Sequence, residues 1–417
     1  MDSSIFGMDG DDSSASQTSQ RDGSQEAVEV PKWELEKERA IREACKWNNL
    51  DELRALAESR GGFLLDELRQ QAWPILLGIN PSDLDTSPDA SWKDLPRHRD
   101  EDQVQLDVDR SFVYYPQDRS EPHLQANKHA LSCLILEVLR TYPYLCYFQG
   151  YHDICQVLLL VLPPHIRPRA VARLSVLRIR DFMLPRLDPA IAQLRLIPDI
   201  LRAADPLLWR HLRRTEPFFA LSGTLTMYAH DVTSLGEIAR LFDALLAREP
   251  VFSVYMFAVI VVSRRAELFD TPDDEPEMLH SILSKLPRPL DLDRLVADAV
   301  ALAERYPPES LPAWRTISAS SVLKTARGVD VCARQTLEEG EAFFRRQARE
   351  IVWNQRVKVA RRALWKYRRP ARTLGLAVMV GLVAIWLRRN PGPVGHLYGV
   401  LARWNRQLLS IFVGHGT

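Results

Sequence analysis

The sequence lacks a net charge, paired cysteines and a glycine-rich phosphate loop. Its 417 residues carry 54 lysines and arginines against 54 aspartates and glutamates, so no overall field attracts nucleic acid. The five cysteines stand singly, without a C-x-x-C pair, which argues against a zinc site and against a disulfide framework. No G-x-x-x-x-G-K-S/T motif occurs, so the chain is not expected to bind nucleotide by itself.

Strand-like alternation and repeats of fixed period are also missing. Apolar residues recur instead at helical spacing, most clearly in HALSCLILEVLRTYP. The apolar positions of this stretch follow the i, i+3, i+4, i+7, i+8 pattern of a buried helix face: Leu131, Leu134, Ile135, Val138 and Leu139. The sequence therefore predicts an all-α fold, with one helical domain over residues 31–316.

The two ends of the chain differ in composition from its middle. Residues 1–30 are rich in Ser, Asp, Gly and Gln and predict a disordered tail, because they cannot bury enough apolar surface to offset ordering entropy. Beyond the domain we predict a linker and a basic helix over 317–370, then a membrane anchor over 371–389. A short amphipathic tail over 390–417 lies along the far leaflet or folds back as a hairpin.

The anchor prediction depends on a basic run that precedes an uncharged one. Basic residues interleaved with aromatic ones over 345–372 suit nucleic acid or anionic lipid. The uncharged stretch Thr373–Leu387 favours lipid, although roughly 22 Å of helix is short of a hydrocarbon core of roughly 30 Å unless flanking arginines snorkel. A soluble core helix is the alternative. The heavier basic flank precedes the span and keeps the helical domain in the cytosol.

Two polar motifs stand on either side of the predicted helix. The first, VQLDVDR, contains Val104, Asp107 and Arg110 at intervals of three residues, and the second, YFQG, covers positions 147–150. Taken singly, each has an ordinary interpretation: Arg110 pairs with Asp107 or Asp109 on a solvated helix face, and a Q-G dipeptide forms a turn.

In this order and spacing the two motifs resemble those of the TBC domain of Rab GTPase-activating proteins, in which the first reads I-x-x-D-x-x-R. The resemblance implies a TBC-type multi-helical fold, an arginine finger at Arg110 and a glutamine finger at Gln149, acting in trans on the GTP form of a Rab. It implies no cofactor for this chain, since GTP and Mg²⁺ are bound by the Rab. Four further residues would support the fingers or contact the partner: Asp107, Tyr147, Gly150 and Asp153.

These residue types suit phosphoryl transfer, which needs charge stabilisation and a positioned water. The planar, permanently charged guanidinium of Arg110 suits the first task, and the amide of Gln149, which both accepts and donates, suits the second. An arginine finger contributes a rate factor of roughly a thousand to a hundred thousand. Gly150 lets the backbone approach the partner closely.

A third sequence, RDFMLP at 180–185, resembles the ER-anchored branch of that family. This resemblance implies attachment to the endoplasmic reticulum or early Golgi membrane, a catalytic domain facing the cytosol, and the Rab of ER-to-Golgi traffic as substrate. The alternative function is a membrane-anchored, Rab-binding scaffold whose fingers are idle.

Three local expectations complete the sequence interpretation. Arg69 and Trp73 resemble structural residues of the first TBC helix and are expected to anchor the core. The adjacent His152 and Asp153 are expected to point in different directions along a helix, so His152 is given a supporting role and not that of a general base. Tyr114 and Tyr115 are expected to pack inside the domain.

Overall fold

The computed structural model describes residues 31–79, 91–116 and 120–389, with four isolated positions beyond them. Within these residues every regular element is a helix, so the all-α prediction is confirmed. The predicted tail over 1–30, and the predicted tail over 390–417 apart from those four positions, lie outside the described residues.

The described residues form nineteen α-helices. The first ten are α1 (Lys32–Lys46), α2 (Leu50–Glu58), α3 (Asp66–Leu76), α4 (Glu101–Asp109), α5 (Glu121–Thr141), α6 (Tyr151–Val161), α7 (Arg167–Leu177), α8 (Asp188–Leu194), α9 (Leu196–Ala204) and α10 (Pro206–His211). The remaining nine are α11 (Leu221–Leu225), α12 (Leu235–Ala247), α13 (Phe252–Ser263), α14 (Arg265–Phe269), α15 (Pro276–Leu283), α16 (Leu292–Arg305), α17 (Val322–Thr325), α18 (Val329–Arg334) and α19 (Leu337–Arg389).

Helix α5 is the central spacer of the domain. The five apolar residues that the periodicity assigns to its inner face are the ones that are buried, so that prediction is confirmed. The helix packs against both α4 and α6, because its apolar face is wide enough to meet two neighbours. It thereby positions the two polar motifs, since one lies at the end of α4 and the other precedes α6.

A buried carboxylate joins the N-terminal helices to the middle of the domain. Asp243 in α12 is fully buried and accepts hydrogen bonds from Arg69 Nε (3.1 Å) and Trp73 Nε1 (2.8 Å). The backbone N–H of Phe63 donates to its other oxygen at 2.9 Å. A charge buried this deeply is tolerated only when it is paired and hydrogen-bonded. The expectation that Arg69 and Trp73 anchor the core is confirmed.

Residues 317–341, the first part of the segment 317–370 that the sequence predicts to be a linker and a basic helix, pack onto the domain instead. Their apolar side chains join the same buried core: Ile317, Val322, Leu323, Val329 and Leu337. The backbone is held as well, because Asp181 accepts from the Val322 N–H (3.1 Å) and Arg173 donates to the Ala333 carbonyl (2.9 Å). The short helices α17 and α18 are too brief to show helical periodicity, so the sequence alone did not reveal this packing.

Helix α19 begins on the domain and then leaves it. Phe344 and Gln347 are buried where the helix packs against α7. The apolar side chains that the structure describes farther along are exposed, among them Leu376 and Trp386. Across the described residues no helix has both the length and the apolar character needed to cross a membrane, so the span predicted over 371–389 is not found among them.

The packed segment leads to a stability prediction. A chain ending at residue 316 should unfold more easily than one ending at 350, because it loses Val322 and Leu323, both 1% exposed. Burial of each such side chain contributes about 1.5–3 kcal/mol, so the free energy of unfolding should fall by roughly 3 kcal/mol or more. Urea unfolding followed by circular dichroism measures the difference. Equal midpoints for the two chains would show that residues 317–350 do not stabilise the domain.

Candidate active site

The first motif places a buried carboxylate beside an exposed guanidinium. Helix α4 ends at Asp109 and Arg110 follows as its C-terminal cap. The side chain of Asp107 is 0% exposed and that of Arg110 is 59% exposed, and Arg110 Nη2 donates to Asp107 Oδ1. Of the two carboxylates that the sequence offers to Arg110, Asp107 and Asp109, the structure pairs it with Asp107. This is not an ordinary solvated pair, because only the arginine faces solvent.

Asp107 receives two further donors. Tyr147 Oη donates to Asp107 Oδ2 at 2.8 Å, and Gln103 Nε2 donates to Oδ1 at 3.1 Å. Burial and the hydrogen bond to Asp107 both raise the pKa of Tyr147, so its hydroxyl keeps the proton that it donates. The second motif thus fixes the carboxylate of the first across 40 residues of sequence.

The turn that carries Gln149 requires a glycine. Gly150 adopts the left-handed conformation (φ 98°) immediately before α6, and a Cβ at this position would lie 2.6 Å from Thr226 Cγ2. Both conformation and space therefore exclude a larger residue. Gln149 is exposed next to this glycine.

Backbone contacts on the other side of the turn hold it in place. The Cys146 N–H donates to the Met183 carbonyl at 2.8 Å, and the Tyr147 N–H donates to Asp100 Oδ2 at 2.9 Å. Met183 belongs to the RDFMLP sequence, and Asp100 lies at the start of α4. These contacts fix the position of Tyr147 relative to Asp107.

Histidine and aspartate side chains extend the network from Tyr147. His152 Nδ1 lies 3.2 Å from Tyr147 Oη, and His152 Nε2 lies 3.3 Å from Asp153 Oδ1. The expectation that the adjacent His152 and Asp153 point apart is wrong, because in the first turn of α6 both side chains reach the same region. Asp153 Oδ2 contacts His230 Nδ1 at 3.0 Å. Burial lowers the pKa of His152, which favours the neutral imidazole.

A buried amide fixes the loop that follows Arg110. Gln156 Oε1 accepts from the Phe112 N–H and its Nε2 donates to the Tyr115 carbonyl, both at 3.2 Å. Tyr115 is buried, as the sequence predicts, but Tyr114 is 52% exposed, so the expectation that it packs inside is wrong. The loop therefore presents an aromatic side chain close in sequence to the predicted arginine finger.

The two predicted finger residues line one cleft of about 490 Å³. Its walls come from the loop after α4, the start of α6, and the region from α11 to the following turn. Further residues that line it are Phe112, Tyr114, Tyr115, Gly150, His152, Asp153, Gln156, Thr226 and His230. Asp107 and Tyr147 do not line the cleft. They lie beneath its surface, where Asp107 accepts hydrogen bonds from Arg110 and Tyr147.

Sequence reasoning missed two residues of this arrangement. Gln156 interrupts the apolar run ICQVLLLV, and a lone amide in such a run signals a buried hydrogen-bonding role. His230 carries no comparable signal, because its contact with Asp153 spans 77 residues of sequence. Only the folded chain brings it to the cleft.

Comparison with solved structures identifies the class of fold. The chain superposes on the crystal structure of the Ypt/Rab-GAP domain of Gyp1p with a TM-score of 0.51 and 13% sequence identity, covering 66% of this chain and 99% of that one. At this identity the likeness shows the fold alone. The TBC-type helical fold that the sequence predicts is therefore confirmed.

Sequence comparison then identifies the family. Residues 66–269 match the Rab-GTPase-TBC domain model. The GTPase-activating protein gyp10 of Schizosaccharomyces pombe is 34% identical over 322 residues, which cover 75% of this chain and 83% of that protein. TBC1 domain family member 20 of Bos taurus is 36% identical over 262 residues, covering 62% of this chain and 64% of its own length. The chain belongs to the Rab-GTPase-TBC domain family, and this membership supports a Rab GTPase-activating function.

The glycine of the turn gives a prediction with a matched control. Gly150→Ala should lower the free energy of unfolding by about 1–3 kcal/mol, because alanine is strained at φ 98° and displaces Thr226. Gly236→Ala, in helix α12 where the nearest atom is 3.9 Å away, should raise it by about 0.5–1 kcal/mol. Urea unfolding measures both. Equal changes in the two variants would contradict the role of the left-handed turn.

Proposed function

We propose that this chain accelerates GTP hydrolysis on a Rab by presenting Arg110 and Gln149 to the nucleotide of its partner. The observation that carries the proposal is the contrast within the site: Arg110 and Gln149 are exposed in one cleft, while the groups that hold them are buried. GTP and Mg²⁺ arrive with the Rab in its GTP form. The chain supplies charge and positioning.

Arg110 is suited to stabilise charge on the transferring phosphoryl group. One terminal nitrogen of its guanidinium bonds to Asp107, which leaves further N–H groups to meet phosphate oxygens in its fixed, planar fork. Tyr147 and Gln103 donate hydrogen bonds that hold the carboxylate of Asp107 in place. The fixed carboxylate in turn orients the guanidinium. A donor oriented in advance needs little reorganisation when charge develops.

Gln149 is suited to position the attacking water. Its amide oxygen accepts a hydrogen bond from water and its NH₂ donates to phosphate. The left-handed Gly150 directs this side chain outward at the start of α6, and packing against Thr226 keeps the turn closed. Because the turn is fixed, the side chain that positions the water loses less conformational freedom on reaching the transition state.

We further propose that the C-terminal part of α19 attaches the protein to the endoplasmic reticulum or early Golgi membrane, with the helical domain facing the cytosol and the Rab of ER-to-Golgi traffic as substrate. A basic segment precedes the exposed apolar side chains, and this order suits an anionic, cytosolic membrane surface. These apolar side chains are Leu376, Val378, Met379, Val380, Leu382, Val383, Ile385 and Trp386.

The arginine provides the first functional test. Arg110→Ala should lower the Rab hydrolysis rate in the presence of the protein by roughly a hundredfold or more, because it removes the charge that meets the phosphoryl group. Arg110→Lys should recover little, since an ammonium lacks the planar fork. Arg294→Ala is the matched control, because Arg294 is also exposed and paired with a carboxylate, Asp298, at 3.5 Å. Single-turnover hydrolysis over a panel of Rabs measures these rates.

The glutamine completes this test. Gln149→Ala should cost roughly tenfold to a hundredfold, as expected for one positioning group, and the double variant should lose less than the product of the single losses because both residues serve one transition state. Melting temperatures separate lost catalysis from unfolding. A folded Arg110→Ala protein as active as the parent would exclude the finger and favour the scaffold alternative.

Deletion of residues 371–417 tests the membrane proposal. The shortened protein should move to the soluble fraction and keep its activity on a Rab in solution, because every residue of the cleft lies before α19. Fractionation with an alkaline carbonate wash measures the attachment, and deletion of 1–30 serves as the control that stays with the membrane. A 371–417 deletion that remains in the membrane pellet would show that attachment lies elsewhere.

A further inference from the structure

Asp153 links the turn of Gln149 to a second wall of the cleft. It lies in the first turn of α6, three residues after Gly150, and its N–H donates to the Gly150 carbonyl at 3.1 Å. Its side chain contacts His230 Nδ1 at 3.0 Å from the opposite wall. The side chain of Asp153 is 15% exposed and that of His230 is 61% exposed, so the contact lies at the rim where a partner protein would dock.

The wall that carries His230 has a defined backbone. Thr226 Oγ1 donates to the Ser222 carbonyl at 2.9 Å and accepts from the His230 N–H at 3.4 Å. Met227 and Tyr228 both adopt left-handed conformations, with φ 50° and 67°, and the Tyr228 hydroxyl is tied to the Ser253 carbonyl at 2.7 Å. This turn places Thr226 against Gly150 and His230 against Asp153.

Charged groups on several elements face this contact. The hydrogen bond to Asp153 is the main cause that raises the pKa of His230 above its ordinary value of 6.5, and the nearby carboxylate of Asp231 acts in the same direction. Burial raises the pKa of Asp231 itself. The other titratable groups around these carboxylates come from separate elements: the cationic Arg110 and Arg288, and the neutral imidazole of His152.

The hydrogen bonds of Tyr147 decide which nitrogen of a neutral His152 carries the proton. Tyr147 donates its proton to Asp107, so it accepts from His152 only if the neutral imidazole carries its proton on Nδ1. His152 Nε2 then has no proton to give to Asp153. The hydrogen bond that Asp153 receives from a ring nitrogen must come from His230, whose Nδ1 is the donor. Asp153 therefore receives its imidazole hydrogen bond from His230 and not from the adjacent His152.

We propose that Asp153 and His230 form a positioning pair that holds the turn of Gln149 against the facing wall, and that the pair holds it most tightly while His230 is protonated. The inference rests on the proposed function, and it predicts that the stimulated hydrolysis rate depends on pH. Folding raises the pKa of His230. The stabilisation of the turn by the pair is therefore fully present at a pH below the ordinary histidine pKa, and it is lost as the pH rises through the raised pKa. Stimulated hydrolysis should fall over the same interval.

The test compares stimulated with intrinsic Rab hydrolysis from about pH 6 to about pH 9, a range that brackets a histidine titration. His230→Ala should lower kcat roughly tenfold, as for a misplaced positioning group, with a smaller change in KM and without the fall in rate at higher pH. His230→Asn keeps an amide donor near the position of Nδ1 and should recover most of the rate, also without that fall. Asp153→Asn should lower kcat as much as His230→Ala does, and the double variant should have no lower kcat than either single variant.

His165→Ala is the matched control, because His165 is exposed and does not line the cleft; it should behave as the parent at every pH. A spectroscopic titration gives a readout independent of activity: the ring signals of His230 should titrate at higher pH in the parent than in Asp153→Asn. Identical titrations would overturn the pair. So would a His230→Ala variant that changes KM alone while Asp153→Asn has no effect, since His230 would then be only a partner contact.

Arg110→Ala, measured alongside, separates this inference from the proposed function. If Arg110→Ala abolishes stimulation while His230→Ala matches the parent across the pH range, the positioning pair is overturned and the finger stands. If the parent stimulates no Rab in the panel, the proposed function is overturned, and this inference with it.

Discussion

The burial of the Asp107 carboxylate is the constraint on which the geometry of the site depends. A buried charge is costly unless donors surround it, and its donors come from α4, from the arginine after α4 and from the turn before α6. Removing any one donor leaves this charge less well satisfied. The carboxylate therefore couples the two motifs physically, and the exposed guanidinium gains a fixed orientation from a group that solvent does not reach.

The same physical rule operates at three other places in the domain. Asp243 joins the N-terminal helices to α12, while Asp181 and Arg173 bind the backbone of residues 317–341. Each is a buried charged group that satisfies donors or carbonyls from a distant part of the chain. Such contacts contribute about as much net stability as well-packed apolar side chains would in the same place. Removing one partner of such a contact is nevertheless strongly destabilising, because the other is left buried and unpaired. They fix which segments meet.

The sequence predicted the local structure well where periodicity was long. In helix α5 the five apolar residues that recur at helical spacing are the ones that form the buried face. It failed for α17 and α18, which are four and six residues long, because so few residues cannot display a period of 3.6. It also misjudged His152 and Asp153, since the side-chain directions in a first helical turn depend on what the turn packs against.

The sequence by itself determined the residue types of the site: an arginine, a glutamine and a glycine in two motifs whose order predicts the family. The tertiary structure alone decided what holds them. His230 reaches Asp153 across 77 residues, through a turn in which two consecutive non-glycine residues are left-handed, and no local pattern encodes that conformation. Gln156 likewise binds the loop after Arg110 from another helix. Local propensity fixes helices, whereas contacts between distant side chains exist only once the core has brought those helices together.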